Sequence, residues 1–259
     1  MNKMRITIIG SGNVATHIGA ALKNAGHRIV QVYSRDMQNA AILAYHIKAE
    51  PIDDLNNVDP DTDVFIVSVK DDAIPAIVQR LTFYQKLILH TSGATSLQTI
   101  TEHTANAGVF YPLQTFTKTK ELNFWDVPLC IEGASAEITK QLRELASTIS
   151  NNVYEVDSDG RKILHLAAVF ACNFPNYLYS IAQNLLEQNQ LEFNMIRPLI
   201  AETADKALQS FPATVQTGPA VRNDVSTMDK HRQLLSGNPM MQQIYEVLSQ
   251  GIIKMDKKG

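Results

Sequence analysis

A glycine-rich hexapeptide near the start of the chain constrains its fold most strongly. The segment Gly10-Ser11-Gly12-Asn13-Val14-Ala15 directly follows an apolar run at residues 5–9 and opens a helical pattern that ends at Gly26. In a G-x-G-x-x-A segment the first glycine allows a tight turn, the second lets a pyrophosphate approach the backbone, and the alanine keeps the helix close to the strand. The first helical turn also leaves backbone N–H groups free for phosphate oxygens. This segment therefore predicts a strand, a turn and a helix that together bind a dinucleotide.

The first 156 residues alternate β-rich runs with helical patterns. Strands are predicted at residues 5–9, 29–33, 63–69, 86–90, 108–111, 129–131 and 153–156. Helices are predicted at residues 14–25, 37–45, 73–80, 96–105 and 136–149. Such an alternation is typical of βαβ crossovers and predicts an α/β fold whose doubly wound, mostly parallel sheet carries helices on both faces.

The pattern changes at the segment Asp157-Ser158-Asp159-Gly160, after which only helical periodicity occurs. The helices expected there cover residues 161–189, 192–209, 226–235 and 239–254. We therefore predict a dinucleotide-binding domain at residues 1–156 and a smaller all-α domain at residues 157–259. Within the first of these helices, Pro175 cannot donate to the carbonyl of Ala171, so a kink is expected beside Asn173 in an otherwise apolar, buried-looking stretch.

The residues that follow the second strand indicate which dinucleotide is bound. A carboxylate at this point would hold the ribose hydroxyls of NAD, whereas a small polar residue with an arginine would hold the extra phosphate of NADP. Here Ser34 and Arg35 occur, and Asp36 is expected to begin the next helix. A guanidinium gains both charge and fork geometry from a phosphate, which favours NADP. The alternative is an ordinary solvated arginine in a turn.

Ligands of such sheets lie beyond the carboxyl ends of the strands, so three further segments are candidate contacts of the cofactor or substrate. They supply the candidates Val69, Lys70, Thr91, Ser92, Gly93, Pro112 and Gln114. The aromatic residues Tyr111 and Phe116 flank the last segment. Lys70 could equally be a solvated residue at a helix start, and Thr91-Ser92-Gly93 could merely cap the helix that follows.

Four residues of the second half of the chain are candidates for catalysis. His165 and Asn173 are the polar residues of an apolar helix and lie two turns apart, within about 80° of each other around the axis. Arg222 could bind a substrate carboxylate, and either His165 or His231 could supply a proton. Three of them have a structural alternative: a satisfied core histidine for His165, a cap of the helix break for Asn173, and an Arg222–Asp224 pair that fixes a loop for Arg222.

Composition excludes several classes of protein. The 23 Lys and Arg against 26 Asp and Glu give a net charge of −3, which argues against a nucleic-acid-binding protein. The two cysteines, Cys130 and Cys172, have no metal-binding spacing and indicate a reducing compartment. The longest apolar run, residues 166–172, is far shorter than the ~20 residues that span a bilayer. We therefore expect a cytoplasmic protein that acts on a small molecule, with no metal and no membrane or nucleic-acid partner.

Several of these motifs together resemble a known group of proteins. The resemblance depends on Gly10 to Ala15, Tyr33-Ser34-Arg35, residues 110–116, residues 165–173, and Gly218-Pro219 to Asp224 with His231. The chain resembles the bacterial Rossmann-like NADP oxidoreductases with a short helical C-terminal domain. These are related to pyrroline-carboxylate reductase and the deazaflavin-dependent NADP oxidoreductases, and more distantly to the 6-phosphogluconate and 3-hydroxyisobutyrate dehydrogenases.

The resemblance implies an NADP-binding Rossmann domain, an α-helical domain that helps to form a homodimer, and an active site in the cleft between them. It does not specify the substrate or exclude a deazaflavin as a second cofactor. The hydroxyisobutyrate-type enzymes carry a Lys and an Asn one turn apart on the first interdomain helix, whereas Lys162 here is followed one turn later by Leu166. This catalytic pair is absent, which leaves His165 and Asn173 as the candidates to replace it.

The expected function is that of an NADP-dependent oxidoreductase acting on a small carbonyl, hydroxy-acid or imine substrate. One rival is a non-catalytic NADP-binding regulator or redox sensor, which would bind NADPH without turnover. Another is a methyltransferase, which also uses a glycine-rich first turn but normally has an acidic residue where Ser34 and Arg35 occur here.

Overall fold

The computed structural model describes residues 3–256. They divide into two compact units, and the division falls between Asn173 and Phe174. The predicted domain boundary after residue 156 depends on a change of sequence pattern rather than on packing, and it stays a prediction. Among the described residues, no helix is both long and apolar enough to cross a membrane.

The first unit is built on a single eight-stranded sheet with the strand order β3-β2-β1-β4-β5-β6-β7-β8. Neighbouring strands are parallel except for β6 and β7, which are antiparallel. This confirms the predicted doubly wound, mostly parallel sheet. The strands are β1 (Arg5–Ile9), β2 (Arg28–Tyr33), β3 (Glu50–Ile52), β4 (Val64–Val67), β5 (Leu87–His90), β6 (Ala107–Pro112), β7 (Leu129–Gly133) and β8 (Val153–Glu155).

Helices cover both faces of this sheet because the strands are apolar on both sides. In β1, Ile6 and Ile8 belong to one buried cluster and Ile9 to the other. Residues of α1, α2 and α5 pack into the first cluster, and residues of α3 and α4 pack into the second. The helices of this unit are α1 (Asn13–Asn24), α2 (Met37–Ile47), α3 (Ile74–Leu81), α4 (Gln98–Thr101), α5 (Ala136–Ala146) and α6 (Ser158–Ala168).

Two local predictions in this unit are wrong. The edge strand β3 was not expected, because it has three residues and contains Pro51, which an edge position tolerates. The helix predicted at 96–105 is reduced to α4, since the preceding residues are held in a loop. There Ser92 Oγ accepts from the N–H of Thr95, and the N–H of Leu97 donates to Ser158 Oγ.

The long helix predicted at 161–189 is interrupted. A π-helical segment, Val169–Asn173, follows α6 and ends immediately before Phe174. This agrees with the expected break beside Asn173, because Pro175 lacks the N–H that the carbonyl of Ala171 would accept. The expectation of a buried helix is wrong: Leu166 is 52% exposed and Phe170 is 64% exposed.

The second unit consists of helices. They are α7 (Phe174–Gln188), α8 (Arg197–Gln209), α9 (Val225–Leu234) and α10 (Pro239–Asp256). Of the apolar side chains described in this unit, only Ala220 and Met228 are buried. The unit therefore leaves much of its apolar surface in contact with solvent.

Candidate functional site

The loops that follow β1 and β4 meet where the strand order of the sheet reverses. Such a switch point is the usual ligand crevice of an open α/β sheet. Gly10, directly after β1, has a φ of +122°, and a Cβ built on it would lie 2.1 Å from the carbonyl oxygen of Ser68. Only glycine therefore allows these two loops to approach so closely.

The N-terminus of α1 faces open space. Gly12 is its N-cap residue, and no side chain caps this helix end. A Cβ built on Gly12 would meet no atom of the described residues within 4 Å. The first-turn N–H groups and the positive end of the helix dipole are thus available to an anion, and a pyrophosphate fits here.

Asn13 is engaged with the chain itself. Its side-chain amide donates to the carbonyl of Phe116 at 2.8 Å, and Nε2 of His17 lies 3.0 Å from the carbonyl oxygen of Thr117. The rings of His17 and Phe116 lie 5.0 Å apart. These contacts hold the long loop after β6 beside the first turn of α1. The side chain of Asn13 therefore has a positioning contact in addition to its predicted place in the cofactor loop.

The end of β2 carries a free arginine. Ser34 Oγ accepts a hydrogen bond from Ser11 Oγ at 3.1 Å. Asp36 caps α2 by accepting from the N–H groups of Gln38 and Asn39, as expected. Arg35 is exposed and belongs to none of the ion pairs found among residues 3–256. A phosphate group placed here would find an uncommitted guanidinium.

Hydroxyl groups line the ends of β4 and β5. The hydroxyls of Ser68 and Thr91 lie 3.0 Å apart, and both residues are buried. Ser92 Oγ accepts from the N–H groups of Ala94 and Thr95 and so stabilises the loop before α4, whereas α4 itself has Leu97 at its N-cap and no side-chain cap; the capping alternative for this segment is therefore wrong. The predicted contact Val69 is half-buried, and Lys70 is exposed before a short 3-10 turn at Asp71–Ala73.

The side chains of Tyr111 and His165 contact each other next to Gly93. The hydroxyl oxygen of Tyr111 lies 3.1 Å from Nδ1 of His165. A Cβ built on Gly93 would lie 2.8 Å from Nδ1 of His165 and 2.8 Å from Cζ of Tyr111. Burial raises the pKa of Tyr111 to about 12, so its hydroxyl stays un-ionised at neutral pH. The sequence-predicted candidates Gly93 and His165 are thus brought together.

A buried arginine fixes the start of α6, which carries His165. Arg161 is fully buried and forms an ion pair with Glu132 of β7 at 2.5 Å. It also donates to the carbonyl of Thr95 at 2.6 Å, and Ser158 Oγ donates to Glu132 at 2.8 Å. One cation therefore connects α6, β7 and the loop after β5. His165 lies one helical turn beyond this anchor.

His90, the last residue of β5, is buried and electrically neutral. Its Nδ1 accepts a hydrogen bond from the N–H of Ser92 at 3.2 Å. Nε2 has no hydrogen-bond partner among the described residues. Burial, followed by the charge of Arg161, lowers the pKa of His90 to about 4. The residue shapes the loop that carries Ser92, and its ring does not take up a second proton at neutral pH.

The candidate residues at the end of β6 and after it differ in burial. Pro112 ends β6 and is buried, whereas Gln114 is exposed and its Oε1 accepts from the N–H of Thr115. Asn173 is exposed at the end of the π-helical segment. The polar pair His165 and Asn173 therefore shares α6 and its continuation, but His165 alone of the two contacts the Gly93 loop.

The remaining candidates belong to the second unit. Nδ1 of His231 lies 2.9 Å from the hydroxyl of Tyr245 on α10. Asp224 caps α9 and accepts from the backbone N–H and hydroxyl of Thr227, contacts that hold the pKa of its carboxyl below its usual range. Arg222 is exposed and forms no ion pair with Asp224 within 4.0 Å. The charge of Arg222 also contributes to the lowered pKa of Asp224, so the loop-fixing alternative for Arg222 stays a prediction.

Sequence reasoning missed the role of four residues of this site. Tyr111 was noted only as an aromatic residue, and His90, Glu132 and Arg161 were not singled out. Glu132 and Arg161 are 29 positions apart, so no local spacing connects them. The signal for Tyr111 and His90 was their place at strand ends, where ligands of such sheets lie.

Comparisons with known families match both halves of the chain. Residues 5–92 match a family described as NADP oxidoreductase, coenzyme F420-dependent, and residues 127–252 match one described as a domain of unknown function, DUF2520. A comparison with curated proteins finds no match.

Solved structures extend this likeness to nearly the whole chain. A Bacteroides fragilis protein assigned as an NADP oxidoreductase is 43% identical, with a TM-score of 0.92 over 97% of this chain and 98% of that one. An imine reductase from Myxococcus stipitatus in complex with NADP⁺ is 16% identical, with a TM-score of 0.67 over 98% and 95% of the two chains. A pyrroline-5-carboxylate reductase from Coxiella burnetii is 18% identical, with a TM-score of 0.58 over 99% and 98%. The last two comparisons show only that this chain has the same fold as these two reductases.

Proposed function

The chain belongs to the family of NADP oxidoreductases that its Bacteroides fragilis relative represents, and from this premise we propose that it transfers a hydride between NADP and a small carbonyl, hydroxy-acid or imine substrate. The observation that carries the proposal is the placement of two parts at one edge of the sheet. One is the open, uncapped N-terminus of α1 at Gly12, and the other is the Tyr111–His165 pair above Gly93.

The residues of the first unit fit NADP. Gly10 and Gly12 leave room for a pyrophosphate at α1, and Ser34 with Arg35 would hold the extra phosphate on the adenosine ribose. Thr91, Ser92 and Gly93 would lie beside the nicotinamide ring. When bound, the nicotinamide supplies the hydride chemistry that no side chain can supply.

The phosphate preference is tested by Arg35→Ala. Loss of the guanidinium removes the group proposed to pair with the additional phosphate, so the dissociation constant for NADPH should rise at least tenfold while that for NADH changes little. Both constants are measured by fluorescence titration. Arg28→Ala is the matched control, because it removes an exposed arginine from the opposite end of β2. Equal losses for NADPH and NADH would contradict the assignment of Ser34 and Arg35.

His165 is the preferred proton carrier of the two candidate histidines. It contacts Tyr111 and the Gly93 loop within the unit that carries the dinucleotide-binding segments. Histidine suits this role because its unperturbed pKa lies near neutral pH. Asn173 would orient the substrate, Arg222 would bind a substrate carboxylate, and His231 remains the alternative proton carrier.

The reaction is tested by a screen for NADPH oxidation with short keto acids and cyclic imines. The substrate that reacts is then used with four variants: His165→Ala, Asn173→Ala, Arg222→Ala and His231→Ala. Loss of His165 should lower kcat by about 10²-fold or more, in the range of general acid catalysis. Arg222→Ala should raise the KM of carboxylate substrates only. NADPH binding without turnover across the whole screen would instead favour a binding regulator.

A homodimer formed by the helical unit is also part of the proposal. The side chains of Leu208, Phe211 and Leu234 are 86%, 84% and 81% exposed, and large exposed apolar side chains are candidates for an interaction surface. A second copy of the same chain is the simplest occupant, since symmetric dimers are the commonest soluble oligomers. Sedimentation equilibrium should give twice the chain mass, and a stable monomer at micromolar concentration would exclude the dimer.

We place the reaction in the cytoplasm. The support is that Cys130 and Cys172 are both free thiols, and Cys172 is exposed. Recovery of the protein with the cytoplasmic fraction on cell fractionation would agree with this location, and recovery in an oxidising compartment would not.

A further inference from the structure

The contact between Tyr111 and His165 fixes which ring nitrogen is free. Nδ1 of His165 is the nitrogen within 3.1 Å of the Tyr111 hydroxyl. The two rings meet edge to face, with centroids 6.1 Å apart and an interplanar angle of 72°. A histidine whose Nδ1 is held by a partner can exchange protons only through Nε2.

Three features hold this geometry in place. Gly93 allows both rings to lie against the loop, since a Cβ there would be 2.8 Å from each of them. Arg161, fully buried, holds α6 to Thr95 one turn before His165. Tyr111 itself is 9% exposed on β6, so its ring cannot easily turn away. The pair is therefore preorganised by packing from the loop, the helix and the strand.

We propose, on the basis of the function proposed above, that Tyr111 is the positioning residue that holds the hydrogen of His165 on Nδ1 and thereby directs Nε2 toward the substrate. In reduction, the imidazolium breaks its Nε2–H bond and a new O–H or N–H bond forms on the substrate. The electron pair of the broken Nε2–H bond stays on Nε2. Nδ1 keeps its hydrogen in both charge states, and the Tyr111 oxygen accepts it throughout.

Tyr111 does not transfer a proton in this arrangement. Burial keeps the pKa of its hydroxyl at about 12, so ionisation at neutral pH is unfavourable. Its role resembles that of any group that selects one tautomer of a catalytic histidine. It follows that removal of the hydroxyl should alter the state of His165 even when no substrate is present.

The first test therefore does not require activity. Long-range ¹H–¹⁵N NMR of the full chain, labelled at histidine, reports the tautomer of each ring, and His165→Gln identifies the His165 signals. In the wild-type protein at alkaline pH, where the ring is neutral, Nδ1 of His165 should carry the hydrogen. Tyr111→Phe should shift the ring toward the Nε2–H form that free histidine prefers. Tyr154→Phe, which changes a 53% exposed tyrosine on β8, is the matched control.

The second test uses the substrate found in the screen. Tyr111→Phe should lower kcat about 10-fold or more, while the KM for NADPH stays within about twofold, since a positioning role is a fraction of the 10²–10⁴ of general acid catalysis. In the His165→Ala background, Tyr111→Phe should cause no further loss. Gly93→Ala should reproduce the tautomer shift by separating the two rings.

The outcomes separate this inference from the proposed function. A His165 tautomer that is the same in the wild-type and Tyr111→Phe proteins overturns the positioning role, whatever the activity. A shifted tautomer in a protein without turnover on any substrate supports the positioning contact and rejects the proposed oxidoreductase reaction. An additive loss of kcat in the double variant also overturns the inference.

Discussion

At the scale of single residues, different structural features explain why Gly10 and Gly12 of the same motif are glycines. Gly10 occupies a backbone conformation at φ +122° with no room for a Cβ, whereas Gly12 has ordinary backbone angles and open space beside it. We infer that Gly10 is required by the fold and Gly12 by the ligand.

Substitution by alanine should separate these two requirements. Gly10→Ala should lower the free energy of unfolding by at least about 1–2 kcal/mol from backbone strain alone, and the overlap with Ser68 adds to it. Gly12→Ala should change stability by about 1 kcal/mol or less but weaken NADPH binding at least tenfold, because the methyl group occupies the path of the pyrophosphate. Urea unfolding and NADPH titration measure the two effects. Unchanged binding in Gly12→Ala would contradict the phosphate site.

His90 gives a prediction for the pH dependence of stability. A second ring proton would be buried next to the charge of Arg161, so the folded pKa is about 4, below the unfolded value near 6.5. The unfolded state therefore binds the proton first as pH falls. Stability should be full above pH 6.5, decrease between about pH 6.5 and 4, and lose about 3 kcal/mol in total from this group.

The variant His90→Leu isolates this contribution. It removes the titrating ring but leaves the other acidic and basic groups, Glu132 among them, in place. Urea unfolding of both proteins at pH 7 and pH 5 should show a larger acid-induced loss in the wild type. Parallel losses in the two proteins would show that folding does not lower the pKa of His90.

At the scale of elements, the ion pair of Arg161 with Glu132 holds the first turn of α6 against β7. Arg161→Met should lower the free energy of unfolding by about 3–5 kcal/mol, because it leaves a carboxylate uncompensated beside the sheet. Arg143→Met is the control: the pair of Arg143 with Glu155 is half exposed and should contribute about 1 kcal/mol or less. Chemical denaturation measures both, and similar small losses would rule out the anchoring role.

What the sequence predicts well is the local pattern. The apolar runs, the glycine turn and the cap at Asp36 depend on neighbouring residues, and all three are confirmed. The π-helical break likewise depends on Pro175, two residues from Asn173. Periodicity alone could not show that the helix before this break is exposed, because a surface covered by a partner and a buried core carry the same apolar residues.

The parts of the site that the sequence did not predict depend on distant pairs. Tyr111 and His165 are separated by 54 positions, and Arg161 and Thr95 by 66. Their contacts follow from the order of strands in the sheet and from where α6 packs, neither of which is encoded in a local spacing. Gly93 similarly has no special backbone angle, and only the rings above it explain why a side chain is excluded.

At the scale of the whole molecule, the two units differ in how completely they bury their apolar side chains. The sheet of the first unit is covered by helices on both faces, and its central strands β1, β4, β5 and β6 are nearly fully buried. The second unit has four helices with few buried apolar side chains. A helical unit of this kind is expected to be stable mainly when another chain covers it.

The stability of the chain should therefore depend on its concentration. If a dimer unfolds to two separate chains, each tenfold dilution lowers the apparent stability by about 1.4 kcal/mol, since association contributes by mass action. For a chain of this size that corresponds to roughly 3–6 °C in the unfolding midpoint for each tenfold dilution. Thermal unfolding followed by circular dichroism from 1 to 100 μM should show a midpoint that rises with concentration. The variants Leu208→Lys and Phe211→Lys each replace a highly exposed apolar side chain of the helical unit and should weaken this dependence. Tyr45→Lys, at an 83% exposed position on α2, should not. A midpoint that is the same at every concentration would mean that the helical unit is stable without a partner.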